Sequence, residues 1–416
     1  MFSFMAKWKS AKQFPPGNDF IPARLPIDPF SQSFIDDPYP TLRWLRLNDP
    51  VHRCTTGAWM ITRYDDVYAA FSDRRLGNSP AEHAIIHRRN RERYSCADVA
   101  SNTLPFQDAP EHTQPRKIIT RVFHQFLKTA NVNIEILAQR RLQPFHEIGE
   151  FDVLEDYATP LSLEVMLTLF GLPQADGEKL KAWSHCFFYL FAIMPSEQIR
   201  EQVDTDLLEY REYFLQEISQ RRNSPGQDFI SALVLDDEGK TLSDHVIADT
   251  CMLIFSDGIE NVDAAIANAI VSLLQQPQLL KPLRKDPEKL ERAVEECLRQ
   301  EAPAQFISRV VKEEFSLHGK LIPQGHSVLL MLGSANRDES KFQRPEQIDL
   351  SREINTHLAF GRGRHSCIGA RLAKTMIHAG VGCVIKQFPK LALTRAPLVW
   401  QHRLGHRWLK YLVVVY

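Results

Sequence analysis

The chain has 416 residues, 44% of them hydrophobic and 24% charged, so it is long enough to bury a sizeable core. A formal net charge of −1 gives no global attraction to nucleic acid or to an anionic membrane surface. The cysteines are scattered and odd in number, and no signal-peptide core or run of about 18 apolar residues occurs, so we expect a reduced, cytoplasmic protein without a membrane anchor.

The predicted elements, taken along the chain, describe a mainly α protein with small β-sheets. Prolines crowd residues 1–29, which predicts an irregular N-terminal arm. A strand is predicted at 59–64, and residues 78–107 lack a clean period, which predicts a mobile loop region. The later elements are helices at about 114–128, 160–170, 176–192, 197–221, 246–276 and 286–300, then strands near 309–318, 327–332 and the C-terminus.

One cysteine, Cys367, has an unusual setting. It lies in FGRGRHSCIG, residues 360–369, which we call the cysteine loop. Glycine permits turns and close backbone approaches, and cationic neighbours favour thiolate over thiol. A helix is predicted to begin at Ala370, and the free N–H groups and dipole at a helix start stabilise an anionic metal ligand.

The cysteine loop resembles the haem-binding loop of the cytochrome P450 family, F-G-x-G-x-H-x-C-x-G-x-x-L-A. Every fixed position is filled, by Phe360, Gly361, Gly363, His365, Cys367, Gly369, Leu372 and Ala373. The resemblance implies the cytochrome P450 fold over residues 30–416, essentially the whole chain, as a single catalytic domain. It also implies haem b (iron protoporphyrin IX) as cofactor and Cys367 as the axial thiolate. Thiolate ligation favours O–O bond cleavage.

A second motif, E-x-x-R, is filled by Glu296 and Arg299, which share one face of a predicted helix. In the family this ion pair is structural, and a third partner, usually arginine, comes from the segment before the cysteine loop. Gln347 falls at the expected position here. A neutral amide bonds an ion pair less strongly than a guanidinium does.

Residues 108–116 resemble the family pattern D-P-P-x-H-x-x-x-R, which puts His112 and Arg116 on one face at a helix start. The resemblance implies that these two residues, together with Arg309 and His365, donate to the haem propionates. The alternative is that they are ordinary surface cations.

The long predicted helix carries the candidate catalytic residues Asp257, Gly258, Glu260 and Asn261. The family pattern there is A-G-x-[DE]-T, in which an acid and an alcohol deliver protons to dioxygen. Gly258 and Glu260 match it, whereas Asn261 replaces the threonine and lacks a rotatable hydroxyl. Asn261 could position a water instead.

Asp257 replaces a small residue of the same pattern and lies four residues before Asn261, on the same helix face. A carboxyl group buried there should have a raised pKa. Three roles are open for it: a proton donor, a partner for a polar or cationic group of the substrate, or a hydrogen-bonding neighbour without a chemical role.

Two further stretches attract attention. Residues 83–93 carry four arginines and two histidines against one glutamate, in what the resemblance makes a substrate-covering loop. They could recognise a carboxylate, a phosphate or a carrier protein, or be a solvated face. The apolar residues 186–194 could line an access channel or pack in the core.

The resemblance therefore implies a haem-thiolate monooxygenase that hydroxylates a small apolar substrate, with or without an acidic group or a carrier protein attached, in secondary metabolism. Ferredoxin and an NAD(P)H-dependent ferredoxin reductase are the expected electron donors, and neither nucleic acid nor membrane is an expected partner. Because of Asn261, desaturation, epoxidation, oxidative coupling and peroxide-driven oxidation stay open as alternatives. A non-catalytic haem sensor is a further alternative.

Overall fold

The computed structural model describes residues 25–80, 84, 86–191, 197–403 and 405–416. Most of the predicted N-terminal arm, residues 1–24, lies outside the described residues, and residues 25–29 form neither a helix nor a strand. The predicted mainly α architecture with small β-sheets is confirmed. Within the ranges just given, no helix is both long enough and apolar enough to cross a lipid bilayer.

Helices make up most of the described chain. They are α1 (Gln32–Asp36), α2 (Tyr39–Asn48), α3 (Tyr64–Ala70), α4 (Ser95–Asn102), α5 (Thr113–Thr129), α6 (Ile134–Leu142), α7 (Thr159–Phe170), α8 (Gly177–Phe187), α9 (Glu197–Asn223), α10 (Phe229–Leu235), α11 (Asp244–Leu274), α12 (Leu280–Leu283), α13 (Pro287–Gln300), α14 (Leu332–Ala335) and α15 (Ala370–Gln387). The six predicted helices correspond to α5, α7, α8, α9, α11 and α13.

The strands are short and form three sheets. They are β1 (Val51–Arg53), β2 (Trp59–Ile61), β3 (Leu76–Gly77), β4 (Glu150–Asp152), β5 (Ile307–Val311), β6 (Phe315–Leu317), β7 (Lys320–Ile322), β8 (Ser327–Leu330), β9 (Ala392–Leu393) and β10 (Val413–Val415). The main sheet has the order β1-β2-β8-β5-β3 and is antiparallel except for the β2–β8 pair. Strands β4, β10 and β9 form the second sheet, and β6 pairs with β7. The predicted strands correspond to β2, β5 with β6, β8 and β10.

Helix α11 is the central helix, 31 residues and therefore about 46 Å long at 1.5 Å per residue. The Ser243 hydroxyl caps its start by accepting a hydrogen bond from the Val246 N–H at 3.3 Å. Apolar side chains on nearly every face suit its position among α7, α8, α9, α13 and α15. Since α15 packs on α11 and directly follows the cysteine loop, the loop and α11 belong to the same part of the molecule.

The prediction of a loop over residues 78–107 is wrong for the second half of that range, because Ser95–Asn102 form α4. The inward side chains of α4, among them Cys96 and Val99, are fully buried. The Cys96 N–H donates to Asp204 Oδ1 on α9 at 2.8 Å, which fixes the helix start. A helix of two turns gives too few repeats for its period to be recognised from sequence.

Glu296 and Arg299 form the predicted ion pair on α13, with Arg299 Nε donating to Glu296 Oε1 at 2.7 Å, and the structure shows that both are buried. The assignment of Gln347 as third partner is wrong, since Gln347 offers only its main-chain carbonyl to Arg299. Arg352 is the third partner, and its Nε donates to Glu296 Oε1 at 2.9 Å. The chain turns back on itself between the two positions, so counting residues along the sequence misplaced the contact. This network anchors the segment that leads to the cysteine loop.

Candidate active site

The cysteine loop is shaped by its own backbone. Gly361 and Gly363 have φ angles of +63° and +72°, where a residue with a side chain is strained. The Cys367 N–H donates to the Phe360 carbonyl at 2.9 Å and closes the loop. The N–H of Gly369, just before α15, lies within hydrogen-bonding range of the Cys367 sulfur. The loop therefore holds its cysteine at the start of a helix, as the sequence predicted.

The Cys367 side chain is exposed although protein surrounds it, so its sulfur opens onto a space inside the molecule. Burial raises the pKa of the Cys367 thiol to about 12, and the negative charge of Asp257 contributes to the rise. Arg116 and the helix N–H groups lower the pKa, as the sequence predicted, but in the protein alone the desolvation by burial outweighs them. A coordinated metal ion deprotonates a thiol outright, so this cysteine needs the iron to become a thiolate.

Four of the predicted cofactor-binding residues, His112, Arg116, Arg309 and His365, lie together beside the cysteine loop. The ring centroids of His112 and His365 are 4.0 Å apart. Burial and neighbouring cations lower the pKa of His112 to about 4 and that of His365 to about 3. Burial also lowers the pKa of Arg309 to about 10. The cluster therefore contains more cationic groups than nearby protein carboxylates can balance.

This cationic cluster fits a cofactor that carries carboxylates. In the described part of the chain, His112 Nε2 is buried without a hydrogen-bond partner, and Arg309 donates only to the main-chain carbonyl beside it. Asp108 is the acid whose charge reaches both Arg309 and His365. Arg116 differs from the prediction in its contact, because its Nη2 donates to the Ser366 carbonyl and braces the cysteine loop. Two propionates would supply the missing negative charge and raise the lowered pKa values again.

Asp257 and Asn261 lie one turn apart on α11 and form what we call the α11 pair. Asn261 Nδ2 donates to Asp257 Oδ1 at 3.0 Å. Burial raises the pKa of the Asp257 carboxyl to about 6, against the opposing effect of this hydrogen bond. The negative charge of Asp257 also acts on Cys367, so the carboxyl and the thiol lie within electrostatic range of each other. Asn261 Oδ1 is buried and finds no partner among the described residues.

The other two candidate catalytic residues of α11 make contacts with neighbouring helices. A Cβ at Gly258 would lie 2.4 Å from Met166 Sδ on α7, so the glycine allows the two helices to approach closely. Glu260 is directed toward α8, where its Oε2 lies 3.3 Å from His185 Nδ1. The close packing of α11 on α7 is thus a sufficient reason for the glycine. Glu260 lies on a different side of α11 from the α11 pair.

Three residues at the site were missed by the sequence analysis. His124 Nε2 lies 3.1 Å from the Ile368 carbonyl of the cysteine loop. His185 contacts Glu260, and Arg403 Nη2 lies in turn 3.3 Å from His185 Nε2. None of the three belongs to a recognised motif, and each reaches the site through tertiary packing that sequence spacing does not encode.

The basic stretch 83–93 is described except for residues 83 and 85. Its four arginines are exposed, and they are Arg88, Arg89, Arg91 and Arg93. Arg91 lies 3.8 Å from Asp98, and Arg93 lies 3.8 Å from Glu197. Exposed pairs at this distance contribute little to stability, so the arginines remain available to a partner.

The apolar stretch 186–194 is described up to residue 191, and its later part lies outside the described residues. Phe187 and Phe188 are buried. The Phe188 ring packs edge-on against Trp408 with centroids 5.0 Å apart, near Ala264 of α11. Core packing therefore accounts for Phe187, Phe188 and Leu190, whereas Cys186, Tyr189 and Phe191 are only half-buried.

Comparison with known proteins adds independent evidence. The family model described as Cytochrome P450 matches residues 87–395. The chain is 30% identical over 392 residues to the biotin biosynthesis cytochrome P450 of Bacillus subtilis, covering 93% of this chain and 98% of that protein. It is 31% identical over 417 residues to the cytochrome P450 monooxygenase PikC of Streptomyces venezuelae, covering 96% and 95%.

A similar solved structure is that of P450BioI in complex with hexadec-9Z-enoic acid ligated acyl carrier protein. Its TM-score is 0.83 at 29% identity, over 93% of this chain and 100% of that one. The extent of the family match, together with the cysteine loop and its cationic cluster, leads to one conclusion. The chain belongs to the cytochrome P450 family, and it is therefore a haem-thiolate monooxygenase with iron protoporphyrin IX as cofactor.

Proposed function

We propose that the protein hydroxylates a small apolar organic molecule of secondary metabolism, using electrons from a ferredoxin and an NAD(P)H-dependent ferredoxin reductase. Bacterial members of the family normally take electrons from such partners. The names of the relatives, which include biotin and polyketide biosynthesis, support a biosynthetic role. Haem with a thiolate ligand supplies the activation of dioxygen and the insertion of one oxygen atom into a C–H bond.

The observation that carries this proposal is that Cys367 of the cysteine loop and Asp257 of α11 lie within electrostatic range of each other. The Cys367 side chain is exposed although protein surrounds it, and the negative charge of Asp257 acts on its thiol. A haem bound here would take Cys367 as its ligand and would have Asp257 nearby as a source of protons. This is the arrangement that an oxygenase needs.

The cysteine loop and the cationic cluster would bind the haem. Cys367 would be the iron ligand, Phe360 and Gly369 fix the loop around it, and the remaining donors would neutralise the propionates. Of these donors, Arg309 and His112 have free N–H capacity among the described residues, which suits direct contact. Arg116 acts through the loop carbonyl that it already binds.

Proton delivery falls to the α11 pair. The pKa of about 6 lets Asp257 hold a proton for part of the time near neutral pH and regain it after donation. Asn261 keeps the carboxyl in position by its hydrogen bond, and its free Oδ1 can hold a water. Of the three roles open for Asp257, the raised pKa supports the proton donor.

A second candidate function rests on Asn261 alone. Because an amide cannot relay a proton as a hydroxyl does, the enzyme could carry out desaturation, epoxidation, oxidative coupling or peroxide-driven oxidation. Turnover with hydrogen peroxide alone, compared with turnover with ferredoxin, reductase and NADPH, identifies the peroxide-driven case. Product analysis by mass spectrometry separates the other three.

A separate question is whether the substrate binds as a free small molecule or while attached to a carrier protein. The exposed arginines of residues 88–93 and the similarity to P450BioI, which was solved with an acyl carrier protein, support delivery by an acidic carrier. Delivery as a free small molecule needs no such surface. Replacing Arg88 and Arg89 by glutamine weakens binding of a carrier-linked substrate only if the carrier is used.

The direct test of the proposed function is the absorption spectrum of the reduced, carbon-monoxide-bound protein, followed by substrate screening through the haem spin-state shift. A Soret band at the red-shifted position that gives the family its name is the expected result. A well-folded protein whose band lies at the shorter wavelength of histidine-ligated haem would overturn the proposal.

A further inference from the structure

A histidine and a lysine beside the cysteine loop share one acid on α13. His357 Nε2 lies 3.1 Å from Glu295 Oε2, and Lys374 Nζ lies 2.8 Å from Glu295 Oε1. The His357 side chain is 4% exposed, whereas that of Lys374 is 40% exposed. None of the three residues belongs to the haem-binding pattern of the cysteine loop. We call them the loop brace.

The hydrogen bonds of the loop brace fix one form of the imidazole. The Ala359 N–H donates to His357 Nδ1 at 3.2 Å, so His357 Nε2 carries the proton and donates to Glu295. Burial raises the pKa of Glu295, but the hydrogen bonds from His357 and Lys374 outweigh burial and hold that pKa below its ordinary value. The loop brace therefore contains one carboxylate, one ammonium and one neutral imidazole.

The loop brace contacts the residue that closes the cysteine loop. Lys374 Nζ lies 5.5 Å from the centroid of the Phe360 ring, and the His357 ring centroid lies 6.1 Å from the same point. The Phe360 carbonyl accepts the hydrogen bond from the Cys367 N–H. Lys374 is in the second turn of α15, which begins directly after the cysteine loop. Two opposite charges are therefore held beside the loop that carries the iron ligand.

The neighbouring acid, Glu296, has a different environment. It is buried and binds the guanidinium groups of Arg299 and Arg352, which support the segment before the loop. Glu295 is half-buried, and its cation is partly exposed. Ion pairs of that kind contribute little to the free energy of unfolding, so stability is a weak reason for this pair. Charge near a metal site has another effect, because it changes the energy of adding an electron to the metal.

We propose that Glu295, His357 and Lys374 are positioning residues that set the reduction potential of the haem iron. The carboxylate disfavours the addition of an electron, the ammonium favours it, and the imidazole holds the carboxylate beside the loop. The inference rests on ligation of the iron by Cys367 and goes beyond the proposed function, since it concerns electron uptake whichever substrate is bound. Reduction transfers one electron from an external reductant to the iron.

The test is a spectroelectrochemical titration of the haem-loaded protein without substrate. Lys374→Gln leaves the carboxylate unbalanced, so the ratio of reduced to oxidised haem at a fixed potential should fall about threefold, as one partly screened charge allows. Glu295→Gln leaves the ammonium unbalanced, and the ratio should rise by a similar factor. The double variant restores the charge balance and should behave as the wild-type protein.

Two controls make the same changes of charge at exposed positions of the same helices. Lys386→Gln alters the last turn of α15, and Glu288→Gln alters the first turn of α13. Both should keep the wild-type ratio of reduced to oxidised haem. Lys374→Arg keeps the positive charge and should also keep this ratio.

The proposal is overturned if Lys374→Gln and Glu295→Gln behave as their controls. Shifts of the same sign in the two variants would also overturn it, because loosening of the loop would then explain both. If Glu295→Gln does not fold or does not bind haem, the comparison of Lys374→Gln with Lys374→Arg still decides, and equal ratios in these two contradict the proposal.

The reduced carbon-monoxide spectrum of each preparation separates this proposal from the assignment of the iron ligand. A wild-type protein without the thiolate band defeats the ligand assignment and the proposed function. A thiolate band together with an unchanged ratio in the variants of the loop brace defeats only the present proposal.

Discussion

The cysteine loop and the middle of α11 lie within electrostatic range of each other but are held in different ways. The loop is fixed by main-chain hydrogen bonds, two glycines with positive φ and the guanidinium of Arg116. The α11 pair is fixed by one side-chain hydrogen bond, and one of its acceptors is free among the described residues. The cysteine loop therefore tolerates few substitutions, whereas the polar residues of the α11 pair can change without altering the fold.

This difference separates two tasks. The backbone of the loop determines that a sulfur reaches the iron, and its sequence follows the family pattern without exception. The side chains of α11 determine where protons and polar groups lie, and two of its pattern positions have changed. Substitutions on the two sides should accordingly fail in different ways, and the following experiments test that expectation.

The largest effect is expected for Cys367→Ser, because a serine hydroxyl cannot replace the thiolate as axial ligand. Monooxygenase turnover should fall below detection, and the red-shifted Soret band of the reduced carbon-monoxide complex should disappear. Cys383→Ser, which alters a buried cysteine of α15, is the matched control and should keep both. Retained turnover in Cys367→Ser would contradict the assignment of the ligand.

The next effect concerns the support of the loop. Arg352→Gln removes a charged hydrogen bond from buried Glu296, which should reduce the free energy of unfolding by about 2 kcal/mol. Gln347→Ala should change it little, since only the main chain of Gln347 contacts Arg299. Chemical denaturation of the haem-loaded proteins measures both. A larger loss in Gln347→Ala than in Arg352→Gln would show that the ion-pair network is assigned wrongly.

A smaller effect is expected for the cationic cluster. Arg309→Gln removes one charged donor to a propionate, and the haem should dissociate roughly tenfold faster. Transfer of haem to an excess of an acceptor protein measures the rate. Arg88→Gln, at an exposed position, provides a control with the same loss of charge. Equal haem loss in the two variants would remove Arg309 from the propionate site.

The smallest effect is expected on α11. Asn261→Thr restores the hydroxyl of the family pattern, so product formed per NADPH should rise a few-fold and hydrogen peroxide release should fall. The Soret band should stay unchanged, because the cysteine side is not touched. Unchanged coupling would mean that Asn261 already supports proton delivery as well as a threonine would.

Sequence analysis predicted the cysteine loop better than the contacts around α11, and the reason is physical. The loop is local, so its glycines, cysteine and following helix lie within one short segment that a pattern can describe. The long helices were also predicted, because the helical spacing of their apolar residues repeats many times. By contrast, α4 is too short to show a period, and Arg352 reaches Glu296 only because the chain turns back on itself.

The pKa of Cys367 and the pairing of charges at the site could also not be predicted from the sequence. The cations around Cys367 suggested a thiolate, but desolvation dominates and raises the pKa of the thiol. The pairing of His185 with Glu260, and the lack of a carboxylate at Arg403 among the described residues, depend on how α8 and the C-terminal segment pack on α11. In contrast, the raised pKa of Asp257 was predicted correctly, because its face on α11 follows from helical spacing alone.

The central claim is that Asp257 supplies protons, and the pH dependence of coupling tests it most directly. Since burial raises its pKa to about 6, Asp257 holds its proton below that pH and loses it above. Product formed per NADPH should therefore fall as the pH rises through about 6 in the wild-type protein and in the control Asp244→Asn, which removes an exposed carboxylate from the start of α11. In Asp257→Asn the coupling should be low and independent of pH over this range. If Asp257→Asn keeps the wild-type coupling and its pH dependence, Asp257 is not the proton donor.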